Sequence, residues 1–410
     1  MKKITLLSLA ATSMLMAGGY KIPELSLNAT ALSSANVAHS SGADTAYYNP
    51  ANMAFMKDEN LLEADLTYIG LSDTNYKGTV SGVGPHDLSA KRENFLVPSL
   101  FYVSGDVDGA RFGLSVVTPF GLTKRWNEEP AKTSAEEFTL ETIELNPTVA
   151  LPINDKLAIA IGLRVVHSKG IVKSYGTTVI TPPGAPAVVS RDMDGDSIDF
   201  GYNLALAYKP TSELEFGLTY RSKIDLNLEG NAKLSESLGS TTYDGGTNLS
   251  VPLPSALNIA AAYTFASKTT VEFVYERTFW SEYKELDFNY SGTLSAVLTG
   301  IFDDAVAKNW KDVSAYRLGI TQKMDKATLM CGIVYDETPI PESTLGFDLP
   351  DSNSLSVSLG GRYQINEKMN LGLSALYSMR EDRTVSSSSL TGEFTDSTAL
   401  LVSVGLEYKF

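Results

Sequence analysis

The chain ends on a strand whose alternating pattern runs to its last residue. Its residues divide between an apolar face and a mixed face: Leu400, Val402, Val404, Leu406, Tyr408 and Phe410 on the first, and Leu401, Ser403, Gly405, Glu407 and Lys409 on the second. A bilayer offers no hydrogen-bond partners to backbone groups, so only helices and closed barrels can span it. A final amphipathic strand that finishes on an aromatic residue is therefore typical of a bacterial outer-membrane β-barrel.

The first residues have the composition of a secretory signal peptide. A positive stretch ending at Lys3 precedes an apolar stretch from Ile4 to Ala17, and small residues follow. The apolar stretch is shorter than the ~20 residues that a transmembrane helix needs. Charged and small flanks around such a stretch are typical of a segment removed on export. We assign residues 1–17 to a signal peptide, with cleavage as late as Gly19 as the alternative.

Composition excludes several classes of function. The formal net charge is −15, from 48 acidic and 33 basic residues, whereas a nucleic-acid partner requires basic patches. Cys331 is the sole cysteine, so the chain forms no intrachain disulfide and no cysteine-based metal site. The acidic run from Asp192 to Asp196 lacks the spacing of a calcium loop and its final Glu. We therefore expect no metal ion, no cofactor and no nucleic-acid partner.

From about Asn60 onward the chain repeats segments in which apolar residues alternate with small or polar ones. A soluble sandwich would show the same alternation in any single strand, but the pattern recurs across most of the chain. Six short, turn-rich connections alternate with seven long ones, which predicts fourteen strands, an even number as in bacterial barrels. Helical spacing near 295–310 predicts a small external helix. The long connections are 73–92, 121–138, 170–196, 231–247, 281–311, 338–351 and 381–394.

Residues 18–58 do not follow the barrel pattern. Their centre is rich in Ala, Ser and Gly, and Ile22, Leu25, Met53 and Phe55 lie on its flanks. This segment is too apolar for a disordered tail and too short for an independent domain. A fourteen-stranded barrel encloses more space than its own side chains fill. We therefore expect 18–58 to form a partly helical hatch inside an antiparallel transmembrane β-barrel made by 59–410.

Several motifs in the chain resemble those of the FadL/TodX family of outer-membrane transporters. The predicted mature start reads Gly19-Tyr20-Lys21-Ile22-Pro23-Glu24, and the stretch Ala46–Ala54 contains the triplet Asn49-Pro50-Ala51. The stretches 94–103, 112–114 and 118–121 resemble the family's second strand, its third strand and the exit from the third strand. The triplet lies after a signal peptide and before a barrel, and this position makes the match specific.

The resemblance implies a route for the substrate. Members of this family transport long-chain fatty acids and aromatic hydrocarbons through a fourteen-stranded barrel that a hatch plugs. Substrate is caught among the external loops, passes to a pocket in the lumen, and leaves sideways into the bilayer. Hatch movement opens the path, and a kink in the third strand leaves a gap in the wall. The implied partners are a hydrophobic small molecule, outer-membrane lipid and lipopolysaccharide, and we expect a monomer in the outer membrane of a Gram-negative bacterium.

Two short runs are candidates for the moving parts: Asn49, Pro50 and Ala51 in the hatch, and Pro119, Phe120 and Gly121 at the lateral gate. An Asn can cap a short helix that the following Pro begins. Within a strand, Pro removes a ladder hydrogen bond and Gly weakens the pairing. An ordinary helix start and an ordinary strand end are the alternatives for the two runs.

Five residues are candidate ligand contacts: Tyr20, Ile22, Leu25, Arg164 and Arg317. The alternative for the three hatch residues is simple packing against the barrel wall. Strand parity places both arginines in the lumen, where a guanidinium would suit a carboxylate substrate. Charged groups inside membrane proteins more often pair with one another. The candidate partners for such pairing are Glu215, Glu272 and Glu276.

We predict a passive channel for hydrophobic compounds. Burial in a protein pocket gains ~25 cal/mol per Å² of apolar surface. In a water-filled pore an apolar solute stays in contact with water and gains no such free energy. The alternative is a general diffusion porin for small polar solutes. We do not expect an enzyme, because the chain has no His-Glu-x-x-His, Gly-x-Ser-x-Gly or phosphate-loop pattern; a surface hydrolase is the third hypothesis. Fatty acids, alkanes and monoaromatics all suit an apolar pocket, so the substrate stays open.

Overall fold

The computed structural model describes residues 18–180, 185–237 and 241–410, and the predicted signal peptide at 1–17 lies outside these ranges. Fourteen antiparallel strands close into a barrel, as the sequence predicted. The first strand pairs with the second on one side and with the last on the other, so Leu61 lies opposite both Val103 and Lys409. The strands are β1 (Leu61–Leu71), β2 (Glu93–Val103), β3 (Arg111–Val117), β4 (Glu137–Asn154), β5 (Leu157–Ile180), β6 (Ala185–Tyr208), β7 (Leu214–Arg221), β8 (Ala256–Thr264), β9 (Thr269–Thr278), β10 (Val313–Lys323), β11 (Ala327–Asp336), β12 (Ser354–Asn366), β13 (Met369–Arg380) and β14 (Thr398–Lys409).

The outer face of the barrel is apolar and its inner face is closely packed. In β14 the side chains of Leu400 and Leu406 are exposed, whereas those of Leu401, Ser403 and Glu407 are buried. This alternation is the one expected of a strand between lipid and lumen. No helix within the described ranges has the length and apolar character needed to cross a bilayer.

Two of the predicted long loops, 170–196 and 231–247, are largely strand instead, in their described residues 170–180, 185–196, 231–236 and 241–247. The hairpin of β5 and β6 has 24 residues in each strand, and Ile224–Glu236 pairs with both β6 and Thr241–Leu253. The acidic run Asp192–Asp196 therefore lies within β6, with its three Asp side chains exposed. The loop prediction was wrong because a strand that leaves the bilayer keeps its period of two but exchanges apolar outward side chains for polar ones.

The N-terminal segment folds inside the barrel. It contains helix α1 (Leu27–Leu32), helix α2 (Thr45–Tyr48) and a 3₁₀ helix at Pro50–Phe55, which together precede β1. Helix α1 begins after Ser26, because the Ser26 hydroxyl accepts a hydrogen bond from the N–H of Ala29 at 3.0 Å. The partly helical hatch of the sequence prediction corresponds to this segment.

Helix α1 packs closely against the inner wall of the barrel. The hydroxyl of Ser374 donates to the carbonyl of Leu27 at 3.0 Å, and that of Ser358 donates to the carbonyl of Ala31 at 2.8 Å. At Gly332 of β11 an added Cβ would lie 2.3 Å from the carbonyl carbon of Leu32. The wall therefore needs glycine at this position for the helix to sit where it does.

Gly332→Val should push α1 away from the wall. Overpacking of this kind destabilises a buried contact by ~1–3 kcal/mol, so we expect faster proteolysis within the N-terminal segment of the purified protein. Gly300→Ala is the matched control, since an added Cβ at Gly300 meets nothing within 4 Å. Equal proteolysis rates for Gly332→Val and the parent protein would contradict the close fit.

The long connections pack together at one end of the barrel, which is the extracellular end in bacterial barrels. Rings of Tyr76 and Trp126 lie 5.1 and 5.0 Å from that of Phe347, so three separate connections share one aromatic cluster. The predicted external helix is present as Ala296–Phe302. The elements here are α3 (Ala131–Ala135), α4 (Ala296–Phe302), a 3₁₀ helix at Trp280–Glu282, and strands Asn75–Val80, Gly84–Ser89, Gly121–Arg125, Ile224–Glu236, Thr241–Leu253, Glu285–Leu286, Phe288–Tyr290, Val306–Ala307, Arg383–Ser386 and Leu390–Thr395.

Candidate functional site

Tyr20 is enclosed by four aromatic rings, those of Phe120, Trp280, Tyr283 and Trp310, which we name the Tyr20 cage. The Tyr20 ring centroid lies 4.7 Å from that of Trp280 and 5.6 Å from that of Trp310. Its hydroxyl donates a hydrogen bond to the carbonyl oxygen of Pro252. Burial, followed by the nearby Tyr283, raises the pKa of Tyr20 well above its ordinary value. The hydroxyl therefore stays protonated and acts as a donor.

A small apolar cavity of about 30 Å³ adjoins the cage. That volume holds about one or two water molecules, whereas ligand pockets usually measure ~300–1,000 Å³. Any hydrophobic ligand at this point therefore requires the Tyr20 side chain to move. One ion pair lines the cavity, with Lys308 Nζ 2.5 Å from Asp348 Oδ2. The apolar lining is formed by Leu122, Phe138, Leu140, Val172, Leu228, Leu249, Val251 and Leu349.

The chain around Tyr20 forms a short antiparallel bridge with the wall. The N–H of Ile22 donates to the carbonyl of Pro119 at 2.9 Å, and the N–H of Gly121 donates to the carbonyl of Tyr20 at 2.8 Å. Lys21 thus lies opposite Phe120. The N-terminal segment thus supplies a main-chain hydrogen-bond partner to Pro119 and to Gly121, a contact that sequence reasoning missed, whereas the main chain of Phe120 bonds the Thr142 hydroxyl.

The wall is interrupted where this bridge forms. Strand β3 ends at Val117, the chain resumes pairing as Gly121–Arg125, and both parts pair with β4. Between β2 and β3 the ladder consists of four residue pairs, formed by Leu100–Val103. In the part of the chain that the structure describes, the ladder does not extend to Glu93–Ser99. The wall between β2 and β3 therefore has a break beside Pro119, Phe120 and Gly121.

The Asn49-Pro50-Ala51 triplet connects three stretches of chain. Asn49 Oδ1 accepts from the N–H of Ala51 at 3.2 Å, and Pro50 is the first residue of the 3₁₀ helix. Asn49 Nδ2 donates to the carbonyl of Val37 at 2.8 Å and to that of Leu206 in β6 at 3.2 Å. The side chain thus caps the helix, as the sequence predicted, and also joins the hatch to the wall.

A wall carboxylate holds the hatch between its helices. Glu272 of β9 accepts from three consecutive backbone N–H groups, those of Val37, Ala38 and His39, at 2.6, 2.7 and 3.0 Å. Three donors therefore converge on one side chain, and each such hydrogen bond has a net value of ~1 kcal/mol. His39 Nδ1 also lies 2.6 Å from the carboxylate of Glu215 in β7. Sequence reasoning considered Glu272 only as a partner for arginine, and no local signal identifies backbone donors more than 200 residues away.

Both predicted lumen arginines are buried in ion pairs. Arg164 Nη2 lies 2.9 Å from Glu144 Oε2, and its Nη1 donates to the carbonyl of Ser222 at 2.6 Å. Arg317 lies 3.5 Å from Glu276 and 3.6 Å from Glu24. This geometry favours internal pairing over ligand contact, with Glu144 as a partner that the sequence did not suggest. Across the described residues, no group of three or more His, Cys, Asp or Glu is placed to hold a metal ion.

The two remaining ligand candidates are also buried. Ile22 lines a second small cavity of about 50 Å³, together with Tyr47 and Arg221. Leu25 is buried, and its N–H donates a hydrogen bond to the hydroxyl oxygen of Tyr48 at 2.9 Å. Ligand contact by Ile22 or Leu25 stays a prediction.

The sequence matches a known family along nearly its whole length. The family model described as outer membrane protein transport protein (OMPP1/FadL/TodX) matches residues 8–410. The chain is 24% identical over 373 residues to the long-chain fatty acid transport protein of Escherichia coli (strain K12), covering 80% of each protein. It is 24% identical over 419 residues to outer membrane protein P1 of Haemophilus influenzae, covering 90% of this chain and 89% of that one.

Solved structures share the fold. A Pseudomonas aeruginosa FadL homologue superposes with a TM-score of 0.85 at 18% identity, over 95% of this chain and 99% of that one. The Pseudomonas putida toluene transporter TodX superposes with a TM-score of 0.73 at 18% identity, also over 95% and 99% of the two chains. At such identities the likeness concerns the fold alone.

Proposed function

This chain belongs to the OMPP1/FadL/TodX family of outer membrane transport proteins, and we propose that it takes up hydrophobic compounds passively across the outer membrane. Relatives named as long-chain fatty acid transport proteins and structural neighbours named as toluene transporters support this class of substrate. We propose no catalytic role. A single chain closes the barrel, and this supports a monomer that is surrounded by lipid and lipopolysaccharide. We propose that the signal peptide is removed and that the mature protein consists of a hatch at 18–58 and a barrel at 59–410.

The observation that carries the proposal is the way in which the lumen is filled. The N-terminal segment occupies the bore, and the cavities beside Tyr20 and Ile22 measure about 30 and 50 Å³. A general porin needs an open, water-filled passage. An apolar solute instead gains ~25 cal/mol per Å² by contact with apolar protein surface. A filled bore with an apolar cage therefore supports a hydrophobic channel over a general porin.

We infer that the break between β2 and β3 is the exit into the bilayer. Tyr20 fills the cage, and the backbone at Tyr20 and Ile22 holds Pro119 and Gly121 at the break. One movement of this short stretch would empty the cage and release the break. Substrate binding and opening of the wall are thus coupled. A lateral exit delivers an apolar molecule to lipid without passage through water.

Uptake by whole cells tests this function. Cells that carry the protein should take up labelled oleate or labelled toluene faster than cells that lack it, at equal amounts of folded barrel. The purified protein should give near-zero steady conductance in a planar bilayer, since the hatch fills the bore. Equal uptake of both compounds with and without the protein would contradict the transport proposal. A large steady conductance would favour a general diffusion porin.

Asn49→Ala should reduce uptake more than Pro50→Ala does. The first change removes three hydrogen bonds that join the hatch to itself and to β6, each with a net value of ~1 kcal/mol. The second removes only a fixed φ at the start of the 3₁₀ helix. Heat-modifiable migration in gels should stay normal in both variants, because the barrel ladder is untouched. Normal uptake in both variants would remove this triplet from the mechanism.

A further inference from the structure

The Tyr20 cage contains hydrogen-bond donors that a hydrocarbon would not use. Trp280 and Trp310 are 1% and 4% exposed, and within the described ranges neither Nε1 has a hydrogen-bond partner. A buried indole N–H usually finds a partner. Trp126 does so, since its Nε1 donates to the carbonyl of Phe347 at 2.8 Å. Two unpartnered donors around one ring indicate that something else supplies the acceptor.

If the Tyr20 side chain left the cage, a hydrogen-bond acceptor would also lose its donor there. The Tyr20 hydroxyl donates to the carbonyl oxygen of Pro252, and this carbonyl loses that donor when the side chain leaves. The emptied cage then adjoins a carbonyl that has lost this donor, and its aromatic walls include Trp280 and Trp310, whose indole N–H groups have no partner among the described residues. A ligand that leaves these groups unpaired binds less well than one that pairs them.

We propose that the Tyr20 cage selects apolar compounds that carry a hydroxyl group, with alkylphenols as the best match, and that the Trp310 indole N–H is the selecting donor. The Tyr20 side chain is itself a phenol, so the ring and the hydroxyl of a free phenol can take the places of its ring and hydroxyl. The ligand hydroxyl donates to the carbonyl of Pro252 and accepts from Trp310. This inference rests on the proposed function, because it assigns a ligand class to the same path.

The charges near the cage agree with a neutral hydroxyl. The charged residues that line the adjoining cavity are Lys308 and Asp348, and they form an ion pair at 2.5 Å. Their charges cancel, so a carboxylate there would have to compete with Asp348 for the ammonium group. A phenol is uncharged near neutral pH, since its pKa is ~10. The lining therefore suits a neutral head group better than an anionic one.

The test compares p-cresol with toluene, which differ by one hydroxyl and match the side chains of Tyr and Phe. The full mature chain is placed in phospholipid nanodiscs, and binding of each labelled compound is measured by equilibrium dialysis against empty nanodiscs. Trp310→Phe keeps an aromatic ring and removes the donor. We expect this variant to lower p-cresol affinity by about three- to tenfold and to leave toluene affinity unchanged. Trp126→Phe is the matched control, since its N–H is already bonded within the protein, and it should leave both affinities unchanged.

A second variant keeps the proposal open to disproof if Trp310→Phe does not fold. Tyr20→Phe retains the ring of the internal occupant but offers no donor to Pro252, so p-cresol should displace it more easily and bind about threefold tighter. An unchanged ratio of p-cresol to toluene affinity in Trp310→Phe, or unchanged p-cresol affinity in Tyr20→Phe, would overturn the hydroxyl preference. Normal toluene or oleate uptake alongside such a result would leave the transport function standing.

Discussion

A disulfide between positions 21 and 120 should stop uptake until it is reduced. Lys21 and Phe120 face each other in an antiparallel bridge whose hydrogen bonds lie on either side of the pair. Cα atoms of such a non-hydrogen-bonded pair lie ~4.5 Å apart, which suits a disulfide. The cross-link would hold Tyr20 in its cage and hold Pro119–Gly121 at the break. We expect oxidised Lys21→Cys/Phe120→Cys cells to take up oleate and toluene no faster than cells without the protein.

The controls separate the effect of the disulfide from the effects of the two substitutions themselves. The experiment uses a Cys331→Ser background, because the native cysteine is exposed. Each single Cys variant reports the loss of one side chain, including the 2.6 Å ion pair between Lys21 and Glu276. Reductant should restore uptake by the double variant to the level of the single variants. Uptake that is indifferent to oxidation, with the disulfide verified by mass spectrometry, would show that this stretch does not move.

Glu272→Ala should loosen the hatch and turn a closed barrel into a leaky one. The side chain accepts from the N–H groups of Val37, Ala38 and His39, and its removal leaves three backbone donors without this partner. Each of these hydrogen bonds has a net value of ~1 kcal/mol, so the hatch loses about 3 kcal/mol of attachment. We expect steady conductance in a planar bilayer to rise well above that of the parent protein. Glu272→Gln keeps one acceptor oxygen and should give an intermediate conductance.

The matched control for this prediction is Glu367→Ala, at an exposed glutamate in the turn between β12 and β13. It removes the same charge without touching the hatch, so conductance should stay at the parent level. Normal heat-modifiable migration of all three variants would show that the barrel itself is intact. A closed Glu272→Ala channel would mean that the remaining contacts, such as Asn49 with Leu206, hold the hatch without this carboxylate.

Prediction from the sequence succeeded where a property repeats at a fixed local period. The alternation ending at Phe410 predicted the barrel, and the alternation of short with long connections predicted fourteen strands. The same signal failed to locate the ends of β5 and β6, because a strand keeps its period of two on leaving the bilayer. Pairing of Arg317 with Glu276 was among the alternatives, since strand parity places both inside.

The sequence alone determined a closed β-barrel with an apolar exterior and a leading segment unlike its strands. Every strand must place apolar side chains toward lipid, and this shared requirement produces a regular alternation in the sequence. Only the tertiary structure decided how that segment is held. Tyr20–Ile22 bridge Pro119–Gly121 about 100 residues away, and Glu272 receives backbone N–H groups from Val37–His39. Backbone donors are common to nearly all residue types, so contacts of this kind leave no trace in the order of side chains along the chain.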